Sequence, residues 1–281
     1  MAALLVTGEY LVSQAVALAD FLAQESGLAK ARVKDCLAKG GVQVSRPGRR
    51  FARCRKAKTA LGPGCRVRLY YDPEILRQVP PPPRLIADRK EYSLWDKPAG
   101  LLAQGTNFGD HCSLLRLAET YFSPSRPVFL VHRLDREASG LMLIAHSQRA
   151  AAGFSRLWQS KAVLKQYQIT VLGLWNREDC GAITLPLDGK EARTEYQLLA
   201  KDGEPGTSRL LVTLGSGRLH QIRRHFARLG FPVIGDPRYG QGNKDIMAGL
   251  QLRAVRLTFT CPLTGAREDF RAPEPASEIE K

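Results

Sequence analysis

Nine consecutive residues, His132-Arg133-Leu134-Asp135-Arg136-Glu137-Ala138-Ser139-Gly140, set one carboxylate, Asp135, between two arginines. A carboxylate flanked by guanidinium groups is held ionised and can be aimed at a substrate as nucleophile or base. The plainer reading of the same stretch is a charged turn facing water. A second cluster, Gly217-Arg218-Leu219-His220-Gln221-Ile222-Arg223-Arg224-His225, packs three arginines and two histidines into nine residues. A basic helix of this kind either meets phosphates or is simply solvated, and histidines within it are more often structural than acid–base groups. His220 and His225 would suit a nucleic-acid hydrolase if they converged. No carboxylate or cysteine set completes a metal site around them, so no metal is expected. The chain lacks GxxxxGK[ST], GxGxxG after a strand, GxSxG and HExxH patterns. Nucleotide hydrolysis, dinucleotide redox chemistry and zinc proteolysis lose ground accordingly.

The elements around these clusters follow from hydrophobic pattern. Val128-Phe129-Leu130-Val131 and Leu141-Met142-Leu143-Ile144-Ala145 flank the first cluster as buried strands. Tyr92–Lys97 is a strand running into the turn Pro98-Ala99-Gly100. Gln148–Ser160 is an amphipathic helix, and Arg218–Leu229 a basic one ended by Gly230. Further strands are expected at Gln166–Leu172, Thr194–Ala200, Ser208–Leu214 and Ala254–Phe259. Many strands and few helices give an α+β fold with a mixed, largely antiparallel sheet.

The 281 residues carry a net charge of +15, an excess that favours a polyanionic partner, nucleic acid before membrane. No run approaches the length of a membrane span, and the N-terminus lacks a basic leader pattern. The six cysteines are scattered without a CxxC pair, as in a reduced cytoplasmic protein. Pro80–Pro83 reads as a stiff spacer. The expected organisation is a small domain over 1–78, a linker over 79–85, a larger domain over 86–273 and a loose tail over 274–281.

The small domain holds +8 of the charge. Two short helices, Ala17–Gln24 and Lys30–Lys39, are joined by a turn at Ser26-Gly27, with Ser26 expected to cap the second. A hairpin starts at Gly40–Val44, and Arg66–Tyr70 alternates like a strand with one basic face. Between Lys30 and Lys58 stand eleven basic residues and one acid, Asp35. Lys30, Arg32, Lys34, Arg53, Arg55 and Lys56 are therefore the candidate contacts to nucleic-acid phosphates. Over Leu18–Leu69 this segment resembles the αL RNA-binding motif of some ribosomal proteins and RNA-modifying enzymes.

From about Leu85 to Pro273 the chain resembles the RluA family of pseudouridine synthases. The matching pieces come in the family's order: Asp96-Lys97-Pro98-Ala99-Gly100, His132-Arg133-Leu134-Asp135 with Ser139-Gly140-Leu141, Lys165-Gln166-Tyr167, Gly217-Arg218 to His225, and Gly235-Asp236 to Gly240. The resemblance implies isomerisation of uridine in RNA without cofactor or metal: uracil leaves C1′, turns, and rejoins through C5. It makes Asp135 the catalytic carboxylate, attacking C1′ or abstracting the 2′ proton. Tyr167 becomes the ring stacked on uracil, and Arg223 the cation paired with Asp135. Ile222 lies beside the base, and Arg133 enters the gap left by the flipped nucleotide. His132, Arg218, His220 and Gln221 complete the substrate side. Large-subunit rRNA is the implied substrate and tRNA the alternative, for a monomer. Ala138 stands where the family usually has Thr, Leu219 where Thr is common, and Arg253 where His is common. A non-catalytic RNA-binding or assembly factor on the same fold is the competing reading.

Overall fold

The structure, a computed structural model, describes residues 5–204, 206–240 and 249–274. The chain folds as two units, one of 1–80 with 104–117 and one of 81–103 with 118–281.

The first unit contains β1 (Val6–Leu11), β2 (Val16–Ala17), α1 (Leu18–Ser26), α2 (Lys30–Lys39), β3 (Val42–Ser45), β4 (Ala52–Arg53), β5 (Ala60–Leu61), β6 (Arg66–Tyr71) and α3 (Pro73–Leu76). Four strands form an antiparallel sheet in the order β1-β6-β3-β4, and β2 pairs with β5. Val33, Cys36 and Leu37 of α2 recur at helical spacing and are buried, while Lys30, Arg32 and Lys34 face out. Gly40, at φ 87°, ends α2 in the left-handed conformation that favours glycine. Ser26 does not cap α2 as expected. It is the last residue of α1, and its hydroxyl binds the Leu22 carbonyl of its own helix; the residue preceding α2 is Ala29.

α4 (Leu114–Tyr121) follows β7 (Arg84–Asp88) and β8 (Tyr92–Lys97). Then come β9 (Phe129–Leu130), β10 (Ser139–Ala145), α5 (Gln148–Gln159), β11 (Leu164–Leu172), β12 (Cys180–Ile183), β13 (Thr194–Asp202), β14 (Thr207–Leu214), α6 (Gln221–Arg228), β15 (Leu252–Thr260) and β16 (Arg267–Arg271). Ten strands form one sheet whose main path is β12-β13-β14-β11-β15-β10-β8-β7, with β16 on β15 and β9 on β10. Every pairing in it is antiparallel except β10 with β15. The mixed, mostly antiparallel α+β architecture is the one the pattern of apolar runs calls for.

The parallel contact is short, Ser139↔Arg253 and Gly140↔Ala254. Gly140 has φ 107°, and a Cβ there would overlap the Ala254 backbone. Only glycine lets the two strands meet so closely. The loop 131–138 enters the sheet here, bringing the Asp135 segment to the end of β10. Opposite Gln166 and Tyr167 of β11, the neighbouring strand β15 carries a bulge, with Val255 as the extra residue. Bulges re-aim side chains at sheet rims.

The basic helix begins later than expected. α6 starts at Gln221, because His220 adopts φ 50°, ψ 33°, which a helix interior does not admit. Arg218 thus lies in the turn before the helix. Of the expected tail, 275–281 lies outside the described residues.

Candidate active site

A cavity of about 320 Å³ opens where the 131–138 loop, β11 and the start of α6 meet. Its walls include Arg133, Asp135, Lys165, Tyr167, His220 and Arg223. A volume of this size suits one small ligand unit.

At its floor, Arg223 Nη1 donates to Asp135 Oδ2 at 3.0 Å. Arg223 is itself fixed from behind: its Nε and Nη2 donate to the two oxygens of Asp236 at 2.8 and 2.7 Å. Arg223 is 1% exposed and Asp236 0%, so this fork is shut off from water, whereas the Asp135 side chain is 25% exposed. Burial works against the Arg223 cation, but its bonds to Asp236 and Asp135 prevail and raise its pKa. Burial likewise opposes the Asp236 charge, and the hydrogen bonds it accepts from Arg223 and from the backbone amides of Arg238 and Tyr239 outweigh it, lowering that pKa. The result is a permanently charged arginine with a fixed fork, presenting one N–H to a carboxylate that stays accessible.

Tyr167 lies half-buried in the cavity wall. Burial, reinforced by the Asp135 charge, pushes its phenol up to about 12. It therefore stands as a neutral ring near neutral pH. His220 sits at the mouth of α6 with Nε2 3.7 Å from Asp135 Oδ2 and Nδ1 3.0 Å from the Tyr239 hydroxyl. Burial lowers its pKa against the opposing pull of the Asp135 charge. Glu137 adds a second carboxylate 3.7 Å from Arg223 Nη1. Arg133 is exposed at the rim, and Ile222 is buried beside the cavity.

Several expected contacts have other partners. His132 lines the cavity, but its Nε2 accepts the Leu143 amide at 2.9 Å and its ring stacks on Trp158 with centroids 4.5 Å apart. Burial pushes its pKa down to about 3, so it is a neutral structural histidine. Gln221 is buried, its amide holding Ser216, Thr194 and the backbone of Arg193 and Arg218. It braces the turn before α6 and has no free end for a substrate. Arg218 Nε donates to the Glu191 carbonyl at 3.2 Å. His225 binds Thr194 Oγ1 and the Leu185 carbonyl, both at 2.9 Å. It does not converge with His220, which removes the basis for a two-histidine hydrolase. Among the described residues no group of three or more His, Cys, Asp or Glu is placed to hold a metal ion.

In the first unit the candidate RNA contacts divide into two sets. Arg32, Lys34 and Lys56 are exposed. Lys30 is exposed too, paired with Asp20. Arg53 and Arg55, by contrast, are spent inside the fold: Arg53 binds the Gly40 and Thr106 carbonyls, and both guanidinium groups pair with Asp110. Asp110 lies on 104–117, the stretch of sequence that returns to this unit.

One residue of the cavity wall, Lys165, and one behind it, Asp236, had no role assigned from their motifs. Lys165 is two residues before Tyr167 in the same strand, and the alternation of a strand puts both on one face. Asp236 follows the Gly235 turn and supplies the arginine lock. Arg253, the departure from the family's usual His, bridges two other matched segments: it donates to Asp96 at 2.8 Å and reaches Ser139 Oγ at 3.5 Å.

The family model "RNA pseudouridylate synthase" matches residues 91–228, the stretch that contains Asp135, Tyr167 and Arg223. The chain is 32% identical over 253 residues to an uncharacterized RNA pseudouridine synthase of Aquifex aeolicus, covering 79% of each protein. It belongs to the RNA pseudouridine synthase family. Members of this family are isomerases that convert uridine in RNA to pseudouridine. The chain is also 37% identical over 162 residues to an uncharacterized RNA pseudouridine synthase of Chloroflexus aurantiacus, spanning 52% of this chain and half the length of that relative. A third relative, "Ribosomal large subunit pseudouridine synthase D" of Nitrosomonas europaea, is 30% identical over 181 residues, 58% of this chain and 52% of its own. Among solved structures, human RNA pseudouridylate synthase domain containing 1 superposes with a TM-score of 0.60 over 70% of this chain and 87% of that one, at 21% identity. This likeness shows the pseudouridine synthase fold.

Proposed function

We propose that this chain isomerises uridine to pseudouridine in large-subunit ribosomal RNA, with the reaction at Asp135. The observation that carries the reading is the relay Asp236–Arg223–Asp135, which holds a half-open carboxylate at the floor of a nucleoside-sized cavity. A carboxylate so held is ready to attack C1′ or to take the 2′ proton without reorganising. Tyr167 offers its ring to the freed uracil, which is retained while it turns; C5 then bonds to C1′ and loses its proton. Arg133, exposed at the rim, is placed to fill the space that an extruded nucleotide leaves in its stack.

The first unit acts in this reading as an RNA-holding module. Arg32 and Lys34 face outward from α2 and can neutralise phosphates, a contact that supplies affinity rather than sequence choice. The +15 charge fits a substrate that is itself a polyanion. The name of the Nitrosomonas relative favours the large ribosomal subunit as the source of that RNA.

Release of tritium from C5-labelled uridine in ribosomal RNA tests the activity directly. The purified chain is expected to release label and leave pseudouridine at defined positions. RNA binding with no release would favour the non-catalytic reading. Comparing pseudouridine maps of large-subunit RNA from cells with and without the gene tests the substrate, and a change confined to tRNA would overturn it.

A further inference from the structure

Tyr239 links two cavities, lining one and hydrogen-bonded to His220 in the wall of the other. Its hydroxyl bonds His220 in the Asp135 cavity, and its ring lines a second space of about 720 Å³. Three arginines border that space, Arg224, Arg228 and Arg238, with Leu172 and Pro232 among its apolar walls and, among the described residues, no acidic residue in its lining. The arrangement follows from α6. Successive helix residues point about 100° apart, so Arg223 reaches Asp135 while Arg224 turns to the other space. Arg228 lies four residues on, on the face of Arg224.

Two of the three guanidinium groups are braced. Arg224 forks onto Asp188 at 2.8 and 2.7 Å, and Arg228 donates to the Pro186 carbonyl at 2.9 Å. Arg238 is exposed, and among the described residues its guanidinium has no hydrogen-bond or ion-pair partner. Asp188 balances one charge of the three and lies outside the lining. Like charges gathered around one cavity repel each other unless an anion enters. Arginines beside an aromatic ring suit a nucleotide unit, with phosphate at the arginines and sugar or base against the ring.

We propose that this cavity binds a backbone phosphate of the RNA strand next to the target uridine. The proposal rests on the reading of the chain as an RNA-modifying enzyme. Tyr239 then separates the reacting nucleotide from its neighbour, and the arginines fix the register in which the target uridine presents itself to Asp135.

The test pairs binding with turnover on one in vitro transcribed ribosomal RNA fragment. Arg228→Gln/Arg238→Gln should raise KM and Kd roughly tenfold while kcat falls less than about twofold, and should reduce the slope of log Kd against log salt by about 0.7 to 0.9, the value for one lost phosphate contact. Arg238→Glu should weaken binding more than Arg238→Gln, and Arg238→Lys should recover most of it. Arg238 is exposed, and equal thermal melts of the single variants would exclude a folding defect. An unchanged Kd and salt slope in the double variant would overturn the proposal, as would equal binding by Arg238→Glu and wild type. These readouts do not require turnover. If wild type binds the RNA but releases no tritium, the functional reading fails while the phosphate site is still decided by the salt slope.

Discussion

Asp236→Asn removes one negative charge from the best-buried ion pair among the described residues. The wild-type carboxylate accepts four bonds: Arg223 Nε at 2.8 Å and Nη2 at 2.7 Å, and the Arg238 and Tyr239 amides at 2.8 and 3.0 Å. An asparagine oxygen at Oδ1 can keep the amides and Nη2. Its NH2 group then faces Arg223 Nε, donor against donor. Breaking a buried pair by changing one partner costs about 3–5 kcal/mol, and Asp135 remains to offset part of the Arg223 charge, so about 3 kcal/mol is expected. That corresponds to a fall of roughly 6–12 °C in the melting of the unit that holds the site. Arg223 also loses the fork that orients it, so kcat should drop roughly 10- to 100-fold, the scale for a misplaced catalytic group. The exposed pair Arg224–Asp188 is the control, because Asp188→Asn should cost less than about 1 kcal/mol. The pH dependence has a definite sign. The Asp236 pKa is lowered on folding, so its contribution is complete above the unfolded value near 3.9 and is lost as pH falls through the lower folded value. Urea unfolding of wild type and variant should thus differ by a constant amount from pH 7 to about pH 5 and converge in stronger acid. A stability change within about 0.5 kcal/mol, with kcat unaltered, would refute the claim that Asp236 positions Arg223.

Three further outcomes follow from the same contacts. His132→Ala should lower stability by about 2–3 kcal/mol, through the Leu143 amide and the lost Trp158 stacking; a thermal melt unchanged from wild type would contradict its structural role. Lys97 is fully buried and donates to the carbonyls of Pro98, Leu101 and Arg136, and burial pulls its pKa down to about 8. Between that value and the unfolded value near 10.4 the folded chain binds fewer protons, so this group makes stability rise with pH by up to about 1.4 kcal/mol per unit. Lys97→Met should lack that increment, and parallel urea-derived profiles for the two proteins between pH 8 and 10 would rule it out. In the first unit, Arg32→Gln/Lys34→Gln should weaken RNA binding and flatten its salt dependence without moving the melt, whereas Arg53→Gln should lower the melt. The reverse pattern in filter binding and calorimetry would overturn the division of these basic residues.

The pairing of Asp135 with Arg223 was legible because motif residues carried it. Asp135 and Arg223 lie 88 positions apart in sequence, and ordered motifs singled out both before any geometry linked them. Most strands were legible for a different reason: buried runs such as Leu141–Ala145 and the alternation of Arg66–Tyr71 are local patterns. The obscured features depend on partners distant in sequence. Composition marked Arg53 and Arg55 as basic, but their commitment depends on Asp110, 55 residues beyond Arg55. His132 looked like a substrate contact within its motif; its bond to the Leu143 amide and its stacking on the Trp158 ring were not visible there. The late start of α6 hangs on one backbone conformation at His220, which a basic amphipathic pattern does not encode. Lys165 could have been found from strand alternation with Tyr167, and Asp236 from the turn at Gly235. Ala138 is 1% exposed beside the cavity, and nothing in the structure explains why alanine stands there.

We propose that the Asp135 carboxylate, held by Arg223, performs the isomerisation. Asp135→Asn keeps the side chain's shape, and Arg223 stays anchored on Asp236. Tritium release from C5-labelled uridine RNA is the direct measurement, made beside a binding assay on the same RNA. Release should fall to background while Kd changes by less than about tenfold, since the loss is one charge-assisted contact at most. Pseudouridine formation by Asp135→Asn at the wild-type rate would contradict it.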